Sequence, residues 1–161
     1  MVGLAAGQFA VCVADSGQGL VDPCDWSETT WKLPVVANSV SKNFVIPVKK
    51  VSSITVRINN LNHAMDTRPT DSAPPHIVVG AFDILGRFHP ATDVRKDGTG
   101  NSYQIQIPAD SLIRLAVYSA QIQLSDNGNQ PLPAQGDTST FTQASTASQS
   151  KTFVFNATGR H

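Results

Sequence analysis

The sequence predicts an all-β domain: an antiparallel β-sandwich of about eight strands, jelly-roll-like in its count, with an immunoglobulin-like sandwich as the alternative. Three observations lead there. Apolar and polar residues alternate with period two in four separate runs, the pattern of strands with one buried and one solvent-facing side. Clusters of Gly, Pro, Asn and Asp separate those runs, as tight turns require. Helix-type spacing is scarce along the whole chain.

Taken in order, residues 7–14 form the first expected strand, and Phe9–Ala14 is apolar enough to be buried on both faces. Trp31–Ala37 and Asn43–Val48 follow. Pro34 and Pro47 push both toward edges or strand ends, since proline cannot donate to a ladder. Ser53–Asn59 alternates cleanly and sets Ile54, Val56 and Ile58 on one face. His76–Phe88 is a longer apolar run and reads as a strand buried on both sides. Tyr103–Ile107 alternates again. Pro108–Arg114 offers the best helical turn, with Asp110 placed to cap it. Leu112–Leu124 nevertheless reads better as one long strand, with Gln121–Leu124 alternating at its end. Lys151–Asn156 completes the series.

Two connections are long. Residues 60–75 form one, and long loops in compact domains often carry function. The other is 134–150, where eleven of seventeen residues are Ser, Thr or Gln. No boundary divides the rest, so residues 1–161 read as one domain. A chain of 161 residues and 17.2 kDa is long enough to bury roughly 70% of its unfolded surface.

Charge excludes some functions. Twelve Lys and Arg balance twelve Asp and Glu, and charged residues make up 15% of the chain, well below the usual quarter or so. Nucleic acid is not an expected partner, because phosphate contacts need clustered cations. No apolar run is long enough for a membrane-spanning helix. The N-terminal stretch Met1–Ala14 lacks a basic start and is interrupted by Gln8, so no signal peptide is expected. The expected location is a virion or a cytoplasmic assembly. Cys12 falls in an apolar run and Cys24 in a turn. Their spacing makes no zinc site, and a disulfide between them needs an oxidising compartment.

Chemistry-bearing constellations are few. Asp22, Asp25 and Glu28 lie beside Trp26 and Trp31, the materials of a sugar site, where an indole stacks on the ring and carboxylates accept hydroxyl protons. A polar turn followed by core aromatics accounts for the same residues. Asp93–Asn101 resembles part of a calcium loop but lacks its closing Glu; Asp97-Gly98 reads as an ordinary turn between strands. The four histidines show no helical ligand spacing. No nucleophile elbow, Walker motif or dinucleotide fingerprint occurs. No cofactor and no catalytic residue are therefore expected. The sequon Asn156-Ala157-Thr158 acquires meaning only on a secretory route.

The most distinctive pattern is of glutamines. Gln104 and Gln106 alternate on one strand, Gln121 and Gln123 on another. If those strands pair, four amides share a flat, uncharged, hydrogen-bonding face. Such a face serves as plain solvent surface, as a subunit interface free of the desolvation cost of charge, or as a glycan site. The expected function is a non-enzymatic structural protein that assembles through this surface, such as a viral or phage capsid, decoration or spike component. Its partners are then further copies of itself or other structural subunits. A carbohydrate-binding, lectin-type module is the alternative, using the same glutamines or the Trp26/Trp31 region.

Overall fold

The computed structural model describes residues 7–10, 19–21, 32–35, 48–132, 142–144 and 150–161. Its organising element is the alternating run around Ile54. β4 (Lys49–Asn60) buries Ile54, Val56 and Ile58 on one side and leaves their neighbours partly exposed. β8 (Gly100–Pro108) runs antiparallel beside it, with Ile105 opposite Ile54 and Tyr103 opposite Val56. Directly opposed residues share a sheet face, so one apolar row extends across both strands. β12 (Lys151–Arg160) lies on the other side of β4 and adds Phe155 opposite Ile58.

These three strands are the middle of a six-stranded sheet. β7 (Asp93–Asp97) forms one edge, against β8, and β10 (Ile122–Asp126) forms the other, against β12. β2 (Leu20–Val21) pairs with the first residues of β4. A second sheet of four strands has the order β11 (Thr142–Ala144), β9 (Leu112–Tyr118), β5 (Val78–Phe82), β6 (Phe88–Pro90). β1 (Gly7–Ala10) and β3 (Lys32–Val35) form a separate antiparallel pair. One cluster of buried residues draws on both larger sheets: Ile54, Ile105, Ile122 and Phe155 from the first, and Val79, Ile113, Leu115 and Val117 from the second. Burying each such side chain contributes about 1.5–3 kcal/mol.

The all-β expectation therefore holds among the described residues, but several expected elements change. Among the described residues there are twelve strands rather than about eight: two long apolar runs are each split by a turn, and β2, β7 and β11 are further strands. His76–Phe88 is not one strand. Asp83 and Gly86, the latter at φ 78°, turn the chain between β5 and β6. Leu112–Leu124 is not one strand either. The Ser119 hydroxyl accepts the N–H groups of Gln121 (3.1 Å) and Ile122 (3.0 Å) and donates to the His76 carbonyl (2.7 Å). That corner sends β9 and β10 to different sheets. The expected helical turn at Pro108–Arg114 is instead a tight turn with Asp110 at φ 60°, leading straight into β9. Pairing is not uniformly antiparallel: β12 and β4 run parallel, which requires a long crossover between them. Within 134–150, Thr142–Ala144 is a strand paired with β9. Trp31–Ala37 contains β3, while residues 43–47, Cys12 and Cys24 lie outside the described residues.

Candidate functional site: the outward face of the larger sheet

The side of the six-stranded sheet that turns away from the core is set by the same alternation that builds the core. β4 presents Ser53, Thr55 and Arg57 there, and β8 presents Gln106, Gln104 and Ser102 directly opposite them. β12 adds Thr152 and Val154 beside Thr55 and Arg57, and β7 adds Asp93 and Arg95 beside Gln104 and Ser102. Hydroxyls and amides predominate, so the face offers donors and acceptors at strand spacing with little net charge.

The charges on this face are internally paired. The Arg57 guanidinium grips Asp97 with two bonds, 2.7 and 2.9 Å, and also donates to Ser102 Oγ (3.2 Å) and Thr99 Oγ1 (2.6 Å). Bidentate contact of this kind is the stronger form of the Arg–carboxylate pair. Thr99 returns its N–H and hydroxyl to Asp97 at 2.8 and 2.7 Å. Arg57 and then Thr99 hold the Asp97 carboxyl well below the usual carboxylate range, and Asp97 in turn raises Arg57. Arg95 bonds Asp93 at 3.1 Å. Asn156 faces this side too, 9% exposed, with its Oδ1 accepting from Asn59 Nδ2 at 3.0 Å. Its place in the middle of a strand makes the sequon a structural amide, closed to a glycan.

The glutamines fall differently from the expected arrangement. Gln104 and Gln106 do lie on the outward face, exposed and half-buried respectively. Gln123 is exposed on β10, but β12 and β4 stand between β10 and β8. Gln121 sits in the corner before β10, where its Oε1 accepts the His76 N–H at 2.8 Å. Four amides on paired strands are thus not formed. The connection from β8 first passes through β9 in the other sheet, which a count of intervening residues does not reveal. Trp26, Trp31, Asp22 and Asp25 lie outside the described residues.

Other ordered polar clusters were not legible as sites. The 60–75 connection is held in part by its own side chains. Asn60 donates to Asp66 (2.7 Å) and accepts the Met65 N–H (2.8 Å), while His63 Nδ1 lies 2.8 Å from Asp66. Asn60 first and His63 second depress the Asp66 carboxyl. Asn62 and His63 both have φ of 55°, uncommon for residues other than glycine. The loop folds onto the core through buried Ala64 and half-buried Met65. At the β5–β6 turn, Asp83 accepts the N–H groups of Leu85 and Arg87, both at 2.9 Å, and lies 3.2 Å from His89 Nε2. His89 is mostly buried, whereas Ile84 and Leu85 project at 63% exposure each.

A shallow groove of about 410 Å³ runs beside Gln123, between Asn129, Leu132, Thr158 and His161. Among the described residues, no group of three or more His, Cys, Asp or Glu is placed to hold a metal ion, and no helix is long and apolar enough to cross a membrane. Comparison with known protein families, with curated proteins and with solved structures finds no match.

Proposed function

We propose that this is a non-enzymatic structural protein that assembles through the outward face of its six-stranded sheet, in the manner of a viral or phage capsid, decoration or spike component. On this reading the two larger sheets are the layers of a jelly-roll-like sandwich. The shared core cluster supports that arrangement, and the parallel β12–β4 pair departs from it. The observation that carries the functional reading is the chemistry of the face. It is rich in hydroxyls and amides, and its Arg57, Asp97, Arg95 and Asp93 charges are paired with one another. Covering such a surface strands few unpaired charges, and a molecule with zero net charge resists association weakly. The working location is a virion or a cytoplasmic assembly, and the partners are further copies or other structural subunits.

Light scattering on a sizing column over a range of concentrations tests this. Assembly predicts a discrete mass well above 17.2 kDa that falls when Gln104→Lys and Gln106→Lys are introduced together. A monomer at every concentration overturns assembly as an intrinsic property of the chain.

A second reading, carbohydrate binding, draws support from the groove beside Gln123, where an amide, hydroxyls and an imidazole adjoin the apolar Leu132. A glycan array compared with a Gln123→Ala variant tests it. Binding that the variant abolishes supports this reading, and an empty array rejects it.

A further inference from the structure

Among the described residues, the six-stranded sheet has one uncovered edge. β10 is covered on its outer side by its own continuation: the Leu132 N–H donates to Leu124 at 2.7 Å and the Asp126 N–H to Gln130 at 2.9 Å. β7 pairs with β8 alone among the described strands, and all five of its residues are exposed, Val94 at 45%.

Which backbone groups are bare follows from the hairpin. Asp97 and Gly100 flank a two-residue turn, so they form the hydrogen-bonded closing pair. Bonding then alternates along an antiparallel ladder. The N–H and C=O groups of Asp93, Arg95 and Asp97 point to β8, and those of Val94 and Lys96 point outward. Edges like this are templates for another strand unless something guards them.

Charge usually provides the guard, but here its order is self-complementary. We propose that two copies of this chain pair antiparallel through β7, about a twofold axis at Val94, giving one continuous sheet across the dimer. This deepens the assembly reading above and rests on it. In that register Asp93 faces the partner's Arg95, and Arg95 faces the partner's Asp93, on the hydroxyl- and amide-rich outer side. Val94 meets the partner's Val94 on the other side, and both bare N–H and C=O groups of Val94 bond across the axis. The Arg95–Asp93 bond of 3.1 Å within each strand becomes half of a four-charge cluster. The two adjacent registers are repulsive. Centring on Asp93 opposes aspartate to aspartate, and centring on Arg95 opposes arginine to arginine and Asp93 to the partner's Asp97. Centring on Lys96 opposes lysine to lysine, and the Arg95 to Asp97 pairs it forms draw on a carboxylate that Arg57 already grips at 2.7 and 2.9 Å. Strand addition of this kind takes its affinity from main-chain bonds and its register from the side chains.

The test is the dimer–monomer midpoint by light scattering or sedimentation for five proteins: wild type, Asp93→Arg, the double swap Asp93→Arg/Arg95→Asp, Val94→Pro, and the face variant Gln104→Lys/Gln106→Lys. Asp93→Arg sets like charges opposite each other twice and shifts the midpoint roughly tenfold or more to higher concentration. The double swap restores the complementarity and the wild-type midpoint, which a merely misfolded variant does not. Val94→Pro removes an outward N–H without touching the β8 ladder and abolishes the dimer. Edge variants that leave the mass unchanged, or a double swap that rescues nothing, overturn the proposal. The two readings separate cleanly. Particles dispersed by the face variant but indifferent to every edge variant retain the face and reject the edge. A dimer lost in Val94→Pro and unaffected by the face variant does the reverse.

Discussion

Arg160, near the end of β12, reaches back across the sheet to Asp71, Nη1 to Oδ2 at 2.8 Å. The same guanidinium donates from Nε to the Ala64 carbonyl at 2.9 Å and from Nη2 to the Asp66 carbonyl. One side chain, 13% exposed, therefore ties three points of the 60–75 loop to the sheet. The loop keeps its shape because Arg160 occupies its centre.

Arg160→Ala should accordingly loosen that loop. Losing several hydrogen bonds from a charged group costs about 2–3 kcal/mol. Urea denaturation should record that loss, and hydrogen exchange should rise across residues 61–71 while the centre of β4 stays protected. Arg160→Lys should recover only part, since a single ammonium cannot make the planar fork. Uniform exchange across the molecule would show that the loop is not the part that Arg160 holds.

Gly100 gives the sharpest backbone prediction. It has φ of 155°, and a Cβ there lies 2.1 Å from the Ile58 carbonyl oxygen and 3.0 Å from Asn59 Cα. Both obstacles are main chain, so Gly100→Ala must part β4 from β8, at a cost of about 3 kcal/mol. Gly98→Ala, two residues away, meets nothing within 4 Å and should change stability by less than about 0.5 kcal/mol. Equal effects in thermal melts would contradict this account.

These examples mark where reading the sequence succeeds. Ile54-x-Val56-x-Ile58 and Tyr103-x-Ile105-x-Ile107 were legible because one buried face imposes period two, and the structure buries all six. The breaks at Ser119 and Asp83 were not, since each depends on a side chain accepting nearby backbone N–H groups. Gly86 inside the His76–Phe88 run was the available signal. Strand order escaped altogether. Alternation states which face a glutamine takes and says nothing about which strand lies beside it, so Gln104 and Gln123 were expected as neighbours though two strands divide them. The Arg160 loop anchor joins positions 89 apart, beyond any local pattern.

Acid should destabilise the fold. Asp97 is depressed by Arg57 and Thr99, and Asp66 by Asn60 and His63. Asp71 is depressed by the Arg68 N–H and then Arg160. Burial pushes Asp83 upward, but the Arg87 N–H, His89, the Arg87 side chain and the Leu85 N–H together outweigh it. A carboxyl with a lower pKa when folded contributes stability that is fully present above its unfolded value, about 4, and is lost as pH falls through the folded value. Thermal midpoints should therefore decline below about pH 4, with Asp97 the last of these groups to protonate. Asp97→Asn should shrink the decline. A midpoint that rises on acidification would refute the sign.

Phe155 carries the core prediction. It is fully buried and stands opposite Ile58 in the parallel pair. Phe155→Ala should cost about 3–5 kcal/mol, read as a lower denaturant midpoint, and Phe155→Leu distinctly less. A small loss for the alanine variant would mean that the two sheets close over the void.

The parallel seating of β12 also has a consequence for how the chain is made. Asn59 and Asn156 are neighbours across that pair yet 97 positions apart. A chain emerging from the ribosome exposes one flank of β4, with its row of Ile54, Val56 and Ile58, for nearly a hundred residues before β12 exists. β8 arrives sooner but covers only one flank. The nascent protein thus carries a sticky, half-paired ribbon through most of its synthesis, when a foreign strand can take the seat reserved for β12. Slowing translation after residue 108 should lengthen that exposure, and supplying residues 151–160 early should shorten it.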